Sequence, residues 1–261
     1  MKEEHKKTYL DSKVVNHYLE YTVLQNPEKV ILGLLTEEIK QFKMLDVGVG
    51  AGRTTSFFAD KVKEYKAVDY SEKMIDACKI KFRNKIPEEN FIVTDARDLS
   101  IFESEYFDFV LFSFNGPDHV SHEEREKIFK EIKRVLKPGG YFCFSSHNLQ
   151  STSNWGKIKL LLNPFGMIQR ILINRKLLRI NKEQLKNCNS SGYLMLNDGA
   201  HDFGLVLYYI RPSFQIQTLK EIGYAEIRVF ELSKGKELDI NNEKELSCDT
   251  SSWLYYLCRK L

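Results

Sequence analysis

Two periodicities alternate along the first half of the chain. Residues 43–49, 65–69, 91–93, 107–114 and 141–145 are short runs, mostly apolar, with the length and residue types of buried strands. Between them apolar residues recur every three or four positions, as on one face of a helix. Val30, Ile31, Leu34 and Leu35 make such a stripe. It follows Asn26-Pro27-Glu28: a cap residue, a proline at the first helical position and a first-turn acid. A second helix is expected over roughly 52–62 and a third from Ser71 to Phe82. A fourth starts at the capping box of Ser121 and Glu124 and ends near Leu136, where Lys137-Pro138-Gly139-Gly140 breaks it. Helices alternating with apolar strands imply a doubly wound α/β fold, its parallel sheet covered on both faces.

The rhythm breaks after residue 150. Residues 155–187 are apolar and basic by turns, and 193–196 with 204–210 read as a hairpin around Asn197-Asp198-Gly199. Pro212 opens a helix that Gly223 closes, and 225–232 and 252–259 read as two last strands. The break interrupts an otherwise regular pattern, so it reads as an insertion over the active site and not as a second domain.

Composition narrows the function classes. With 261 residues, 43% hydrophobic and 29% charged, the chain is an ordinary globular protein. Lys and Arg number 39 against 36 Asp and Glu, too even a balance to imply a nucleic-acid partner. Mean hydropathy is −0.38 and no apolar run approaches the length of a membrane span. The opening MKEEHKKTYLDS has no apolar core of a secretory signal. Five cysteines, an odd number with no CxxC pair, read as reduced thiols in a cytoplasmic protein.

In a sheet of this kind ligands bind beyond the carboxyl ends of the strands. The chemistry-bearing residues stand there: Gly48, Gly50 and Gly52, then Asp69, Asp95, the Asn115–His119 loop and His147. The glycines allow a tight turn and close approach of backbone to ligand. The helix N-terminus behind them favours an anion, which fits a pyrophosphate or an amino-acid carboxylate. Asp69 ends a strand where an acid can accept both hydroxyls of a ribose. A nicotinamide cofactor would need G-x-G-x-x-G, whose third glycine falls on Arg53, and would leave Asp95-Ala96 without a role.

LDVGVGAGRTT, VDYSEKM, TDARDL and LKPGGYF, in this order and spacing, resemble the class I S-adenosylmethionine-dependent methyltransferases. The resemblance covers roughly 43–147. It implies a Rossmann-like, seven-stranded, mostly parallel sheet with an antiparallel last strand, which 252–259 suits. It makes 1–261 one domain: N-terminal lid helices over 1–42, a cofactor-binding half over 43–150, a helical and hairpin insertion over 151–211, and closure of the sheet by 212–261. S-adenosylmethionine is the implied cofactor. Its methionine part faces Asp46, Gly48, Gly50, Gly52, Arg53 and Phe114. Asp69 holds the ribose, Asp95 and Ala96 meet the adenine amine, and Tyr70 with Met74 flank the ring.

The acceptor loop reads Phe114-Asn115-Gly116-Pro117-Asp118-His119. It lacks the Asn/Asp-Pro-Pro-aromatic segment of nucleic-acid amino-methyltransferases, which argues against base flipping. His119 and His147 are the candidate bases, with Tyr18 as a hydroxyl on the N-terminal lid. Asp118 and Asn115 are too few acids and amides for a metal site, so none is expected. Asn115, Tyr193, Tyr208, Tyr209 and Arg211 join these as substrate residues, because Arg beside Tyr hydroxyls suits an anion. That composition loosely resembles the phosphate clamp of phosphoethanolamine N-methyltransferases. The expected acceptor is therefore a small polar molecule, an amino alcohol phosphate. A hydroxylated metabolite methylated on oxygen is the alternative, and a cofactor-binding protein without catalysis another. Between Trp155 and Lys186 eight basic residues face a single acid, Glu183. The expectation there is a lid whose apolar face packs on the sheet and whose charged face is solvated, in preference to contact with a membrane or a nucleic acid.

Overall fold

A computed structural model of the chain describes residues 22–157 and 164–261. Tyr18 lies outside the described residues, as does the first half of the stretch expected to form N-terminal lid helices. The described chain opens with helix α1 (Asn26–Leu34), strand β1 (Lys43–Val47), the short helix α2 (Thr55–Phe58), β2 (Glu64–Asp69), α3 (Glu72–Phe82), β3 (Phe91–Val93), β4 (Phe107–Phe112), α4 (His122–Val135) and β5 (Leu136–Asn148). The insertion adds α5 (Pro164–Ile180), the single-turn α6 (Lys182–Leu185), β6 (Tyr193–Leu196), the single-turn α7 (Ala200–Phe203) and β7 (Leu207–Ile210). It closes with α8 (Pro212–Ile222), β8 (Tyr224–Glu231), the two-residue β9 (Glu237–Leu238), α9 (Glu243–Cys248) and β10 (Trp253–Lys260).

All strands join one sheet, whose main path runs β3-β2-β1-β4-β5-β10-β8-β9. β1 to β5 pair in parallel, and β10 runs antiparallel between β5 and β8. The seven longer strands of the path match the expected count, and the antiparallel last strand is in place. Alternation along the strands builds two cores. Leu45, Val47, Val110 and Phe112 face one core, which α4 caps with Ile128, Phe129, Ile132 and Val135. Met44, Phe109 and Leu111 face the other, under Ile31 and Leu35 of α1 and Ile75, Cys78 and Phe82 of α3. Each such side chain contributes roughly 1.5–3 kcal/mol on full burial. The capping box of α4 forms as expected: Ser121 Oγ accepts from Glu124 N at 3.3 Å, and Ser121 N donates to Glu124 Oε2 at 3.2 Å.

Three elements differ from expectation. The helix expected over 52–62 shrinks to Thr55–Phe58, because Arg53 and Thr54 turn inward to Glu28 and Asp46 before it. β5 starts at Leu136, paired with Phe107, and continues to Asn148. It continues because β7 takes up its pairing where β4 has ended: His147 opposes Tyr209 and Asn148 opposes Ile210, in parallel. The β6–β7 hairpin therefore prolongs the sheet beyond β4, directly over the carboxyl ends of the central strands. Finally, α5 does not lay an apolar face on the sheet; of its side chains that the structure describes, Leu177 alone is buried.

Candidate active site

A cleft of about 790 Å³, open to solvent, lies over the carboxyl ends of β1, β2 and β4. Its wall brings together Gly48, Gly50, Asp69, Tyr70, Met74, Asp95, Ala96, Phe114 and His119. Gly48 has φ +63°, and a Cβ there would stand 2.7 Å from the Phe112 ring, so the turn has no room for a side chain. Asp69 is fixed at both oxygens: Oδ2 accepts from Gly50 N and Oδ1 from Ser71 N, each at 2.9 Å. Burial pushes its carboxyl up to about 6, against the pull of those backbone bonds. A desolvated carboxylate of this kind gains from further donors, such as a pair of ribose hydroxyls. Asp95 differs. Burial alone would raise it, but Arg97, on both of its oxygens, holds its carboxyl below the usual range. The glycine turn, the poised acid and the apolar wall of Val47, Val68, Met74 and Ile128 fit a nucleoside with a charged tail.

Asp46, Gly52 and Arg53, placed by resemblance at the cofactor, stand behind the loop and not on the cleft wall. Asp46 Oδ2 accepts from Thr54 Oγ1 at 2.5 Å and from Tyr65 OH at 2.8 Å. Burial nevertheless lifts its carboxyl to about 6. A Cβ on Gly52 would meet the Phe82 ring at 2.4 Å, so that glycine serves helix–loop packing. Arg53 makes a two-pronged pair with Glu28 of α1, both bonds at 2.6 Å. Ser113 and Tyr255 also donate to Glu28 Oε1, tying the glycine loop to α1, β4 and β10 at one carboxylate.

Beyond Phe114 lies the side expected to meet the acceptor, off the cleft wall. Phe114 and Asn115 both adopt left-handed backbone, φ +55° and +58°, which is costly for residues with side chains. Ser145 Oγ accepts from Asn115 N at 2.7 Å and holds the kink. Around it sit His147 and Trp253; Phe114 packs edge-on against Trp253 with centroids 4.8 Å apart. His147 Nδ1 lies 2.8 Å from Asp118 Oδ2, and its backbone N–H donates to the same oxygen at 2.7 Å. Asp118 Oδ1 accepts from Ser146 Oγ at 2.8 Å and from Arg125 Nε at 3.3 Å. The ring's Nδ1 therefore carries the proton, and Nε2 is the acceptor, engaged by the Asn115 amide. That nitrogen faces Asn115 Nδ2 at 3.3 Å and Asp198 Oδ2 at 3.9 Å.

The expected anion clamp does not assemble. Arg211 donates to the carbonyl oxygens of Ser191, at 3.0 Å, and Cys188, so its fork closes the insertion on itself. Tyr208 is fully buried on the far face, its hydroxyl 2.7 Å from His122 Nδ1 and its ring over Arg125. Tyr193 stacks on His122 and Tyr208. Tyr209 alone reaches the acceptor side: it packs on His147 and donates to Asp198 Oδ2 at 3.0 Å. The period of a strand explains the split, since Tyr208 and Tyr209 must face opposite ways.

Sequence reading missed Glu28, Arg125 and Asp198, and read Asp118 only as an insufficient metal ligand. A signal existed for two of them. Arg125 shares the stripe of Ile128, Phe129 and Ile132, and Glu28 that of Ile31 and Leu35. A charge at a core position of an amphipathic helix must find a partner.

A family model for the methyltransferase domain matches residues 44–140. Over those residues the chain is similar to a methyltransferase domain. Over 105 residues it is 33% identical to a probable phthiotriol/phenolphthiotriol dimycocerosates methyltransferase of Mycobacterium ulcerans, covering 40% of this chain and 38% of that one. Over 144 residues it is 27% identical to a fatty-acid O-methyltransferase of Mycolicibacterium smegmatis, covering 54% and 50%. The chain thus spans half or less of the length of these curated relatives. The likeness of fold extends over more of the chain. A Burkholderia thailandensis 1,6-didemethyltoxoflavin-N1-methyltransferase superposes with a TM-score of 0.60 at 14% identity, over 99% of this chain and 86% of that one. An S-adenosylmethionine-dependent methyltransferase of Clostridium acetobutylicum gives 0.59 at 15%, over 98% of each.

Proposed function

We propose that the protein methylates a hydroxyl group of a small or amphiphilic acceptor, with His147 as the base. The Asp118–His147 pair carries this reading. Asp118 fixes the tautomer and stabilises the imidazolium that forms when Nε2 takes the hydroxyl proton. Arg125 and Ser146 hold Asp118 in place. S-adenosylmethionine, when bound, supplies a methyl group already activated on sulfonium. The chain's own tasks are then to align the acceptor, exclude water and remove one proton. The cofactor contacts read from the cleft are Asp69 to the ribose, Asp95-Ala96, Tyr70 and Met74 around the adenine, and the Gly48–Gly50 turn with Phe114 toward the methionine part. His119 lines that cleft with Ala96 and Val120, so the role of base passes to His147.

Phosphorylated amino alcohols, the acceptor first expected, lose their support with the clamp, since Arg211 is engaged by backbone carbonyls. Methylation on oxygen, though not on a hydroxyl in particular, gains some support from the fatty-acid O-methyltransferase among the relatives. The test is turnover to S-adenosylhomocysteine against hydroxylated amphiphiles, carboxylic acids and amino alcohol phosphates. His147→Asn should lower kcat by about 10²–10⁴-fold with cofactor affinity intact. Normal kcat in that variant, or turnover of amino alcohol phosphates alone, overturns the reading.

A further inference from the structure

Five large apolar residues of α5 stand exposed: Ile168, Leu172, Ile173, Leu178 and Ile180. Ile168, Leu172 and Ile173 are each more than half exposed, at 55%, 57% and 52%. No other described element shows such a cluster; the remaining exposed large apolar residues are scattered along the chain. At 3.6 residues per turn, Ile168, Leu172, Arg175, Lys176 and Arg179 share one sector of the helix, opposite the buried Leu177. Arg170 and Ile173 fall outside that sector, on the side of Leu177, and Lys176 sits over the Phe203 ring at 4.1 Å; no acidic residue occurs between 158 and 182. The outward face is thus apolar and cationic together, with nothing of its own to neutralise it.

We propose that α5 lies on the surface of an anionic lipid bilayer. Ile168 and Leu172 enter the boundary between headgroups and acyl chains. The basic side chains run their aliphatic stems along the same face and put their charges among lipid phosphates. Charge decides between this occupant and a second copy of the chain. A two-fold dimer through this face would set Arg175, Lys176 and Arg179 against their own copies with no acid between them. A nucleic acid would match the charge but leave the isoleucines and leucines against a polar backbone.

The position of α5 gives the contact a use. Asn181, just past its end, donates to Asn197 O at 2.7 Å and accepts from Asn197 N at 2.8 Å. The next residue, Asp198, holds Tyr209 and faces His147. A helix seated on lipid would therefore hold the rim of the acceptor side near the bilayer surface. The docking itself does not depend on the acceptor proposed above.

Flotation of the full chain with phosphatidylcholine vesicles, with and without phosphatidylglycerol, tests it. Binding is expected to the anionic vesicles only, and to weaken with salt. Ile168→Ser and Leu172→Ser together should lower it at least tenfold. Arg175→Glu with Arg179→Glu should lower it further, from a contribution of about fivefold per basic residue and added repulsion. Both variants should keep their circular dichroism and cofactor affinity, since the changes lie on the outer face. Three results would overturn the proposal: no flotation of the unmodified chain, flotation that both variants retain, or a dimer in sedimentation that the serine variant abolishes.

Discussion

The half of the chain that carries the glycine-lined cleft, where we place the cofactor, and the segment 151–211 above it are built to different standards. Around the glycine loop, Asp46, Asp69 and Glu28 are each held by two or more directed bonds from different elements, above two layers of apolar packing. Over the acceptor side the supporting core is small: Leu149, Leu196, Leu205, Leu207 and Tyr209. Its polar groups mostly answer one another, as Asn181 does Asn197 and Arg211 the nearby carbonyls. The cofactor presents the same atoms to every enzyme of this kind, so a rigid mould suits it. An acceptor must be admitted and released, and a part held by few contacts opens at lower cost.

The contrast is most severely tested at Glu28. Glu28→Ala leaves the Arg53 guanidinium buried without its partner, and stability should fall by about 3–5 kcal/mol. Thermal unfolding with and without S-adenosylhomocysteine measures it; a loss under 1 kcal/mol would mean the mould is not held there. A smaller effect is expected at Asp69. Its carboxyl titrates near 6 in the free protein, and hydroxyl donors stabilise only the ionised form. The unbound state therefore takes up the proton first, and lower pH favours release. Cofactor affinity by calorimetry should drop up to tenfold per unit below about pH 6. Asp69→Asn should bind at least tenfold more weakly at neutral pH and lose that slope. The smallest effect is expected in the insertion. Arg211→Lys should leave cofactor affinity unchanged and shift KM for charged and neutral acceptors by the same factor. A selective loss toward anionic acceptors would restore the clamp and undo the contrast.

The cofactor half was legible because its demands are local. A strand, a glycine turn and an acid at the next strand's end lie in sequence order at the sheet's edge, and periodicity places them. What was not legible depends on distant partners. Arg53 looks like a loop cation until Glu28 is seen beneath it, 25 positions earlier. Arg211 beside tyrosines suggests a clamp until the chain's return brings the Ser191 and Cys188 carbonyls to it. Likewise β5 could not be seen to reach His147, because its last pairs are made with β7, some sixty residues on. The apolar residues of α5 were read as packing on the sheet, since a sequence shows the stripe and not what covers it.

The carboxylate of Glu28 also sets an order of events during synthesis. It receives Arg53 25 positions later, Ser113 after 85 and Tyr255 only after 227. A nascent chain can form β1 to β5 while the last strand is still within the ribosome, but the brace behind its glycine loop is not yet closed. Firm cofactor binding then waits for β10 to slide in between β5 and β8. Ribosome-stalled chains ending before Tyr255 should take up cofactor poorly, and release of the full chain should bring binding on in one step.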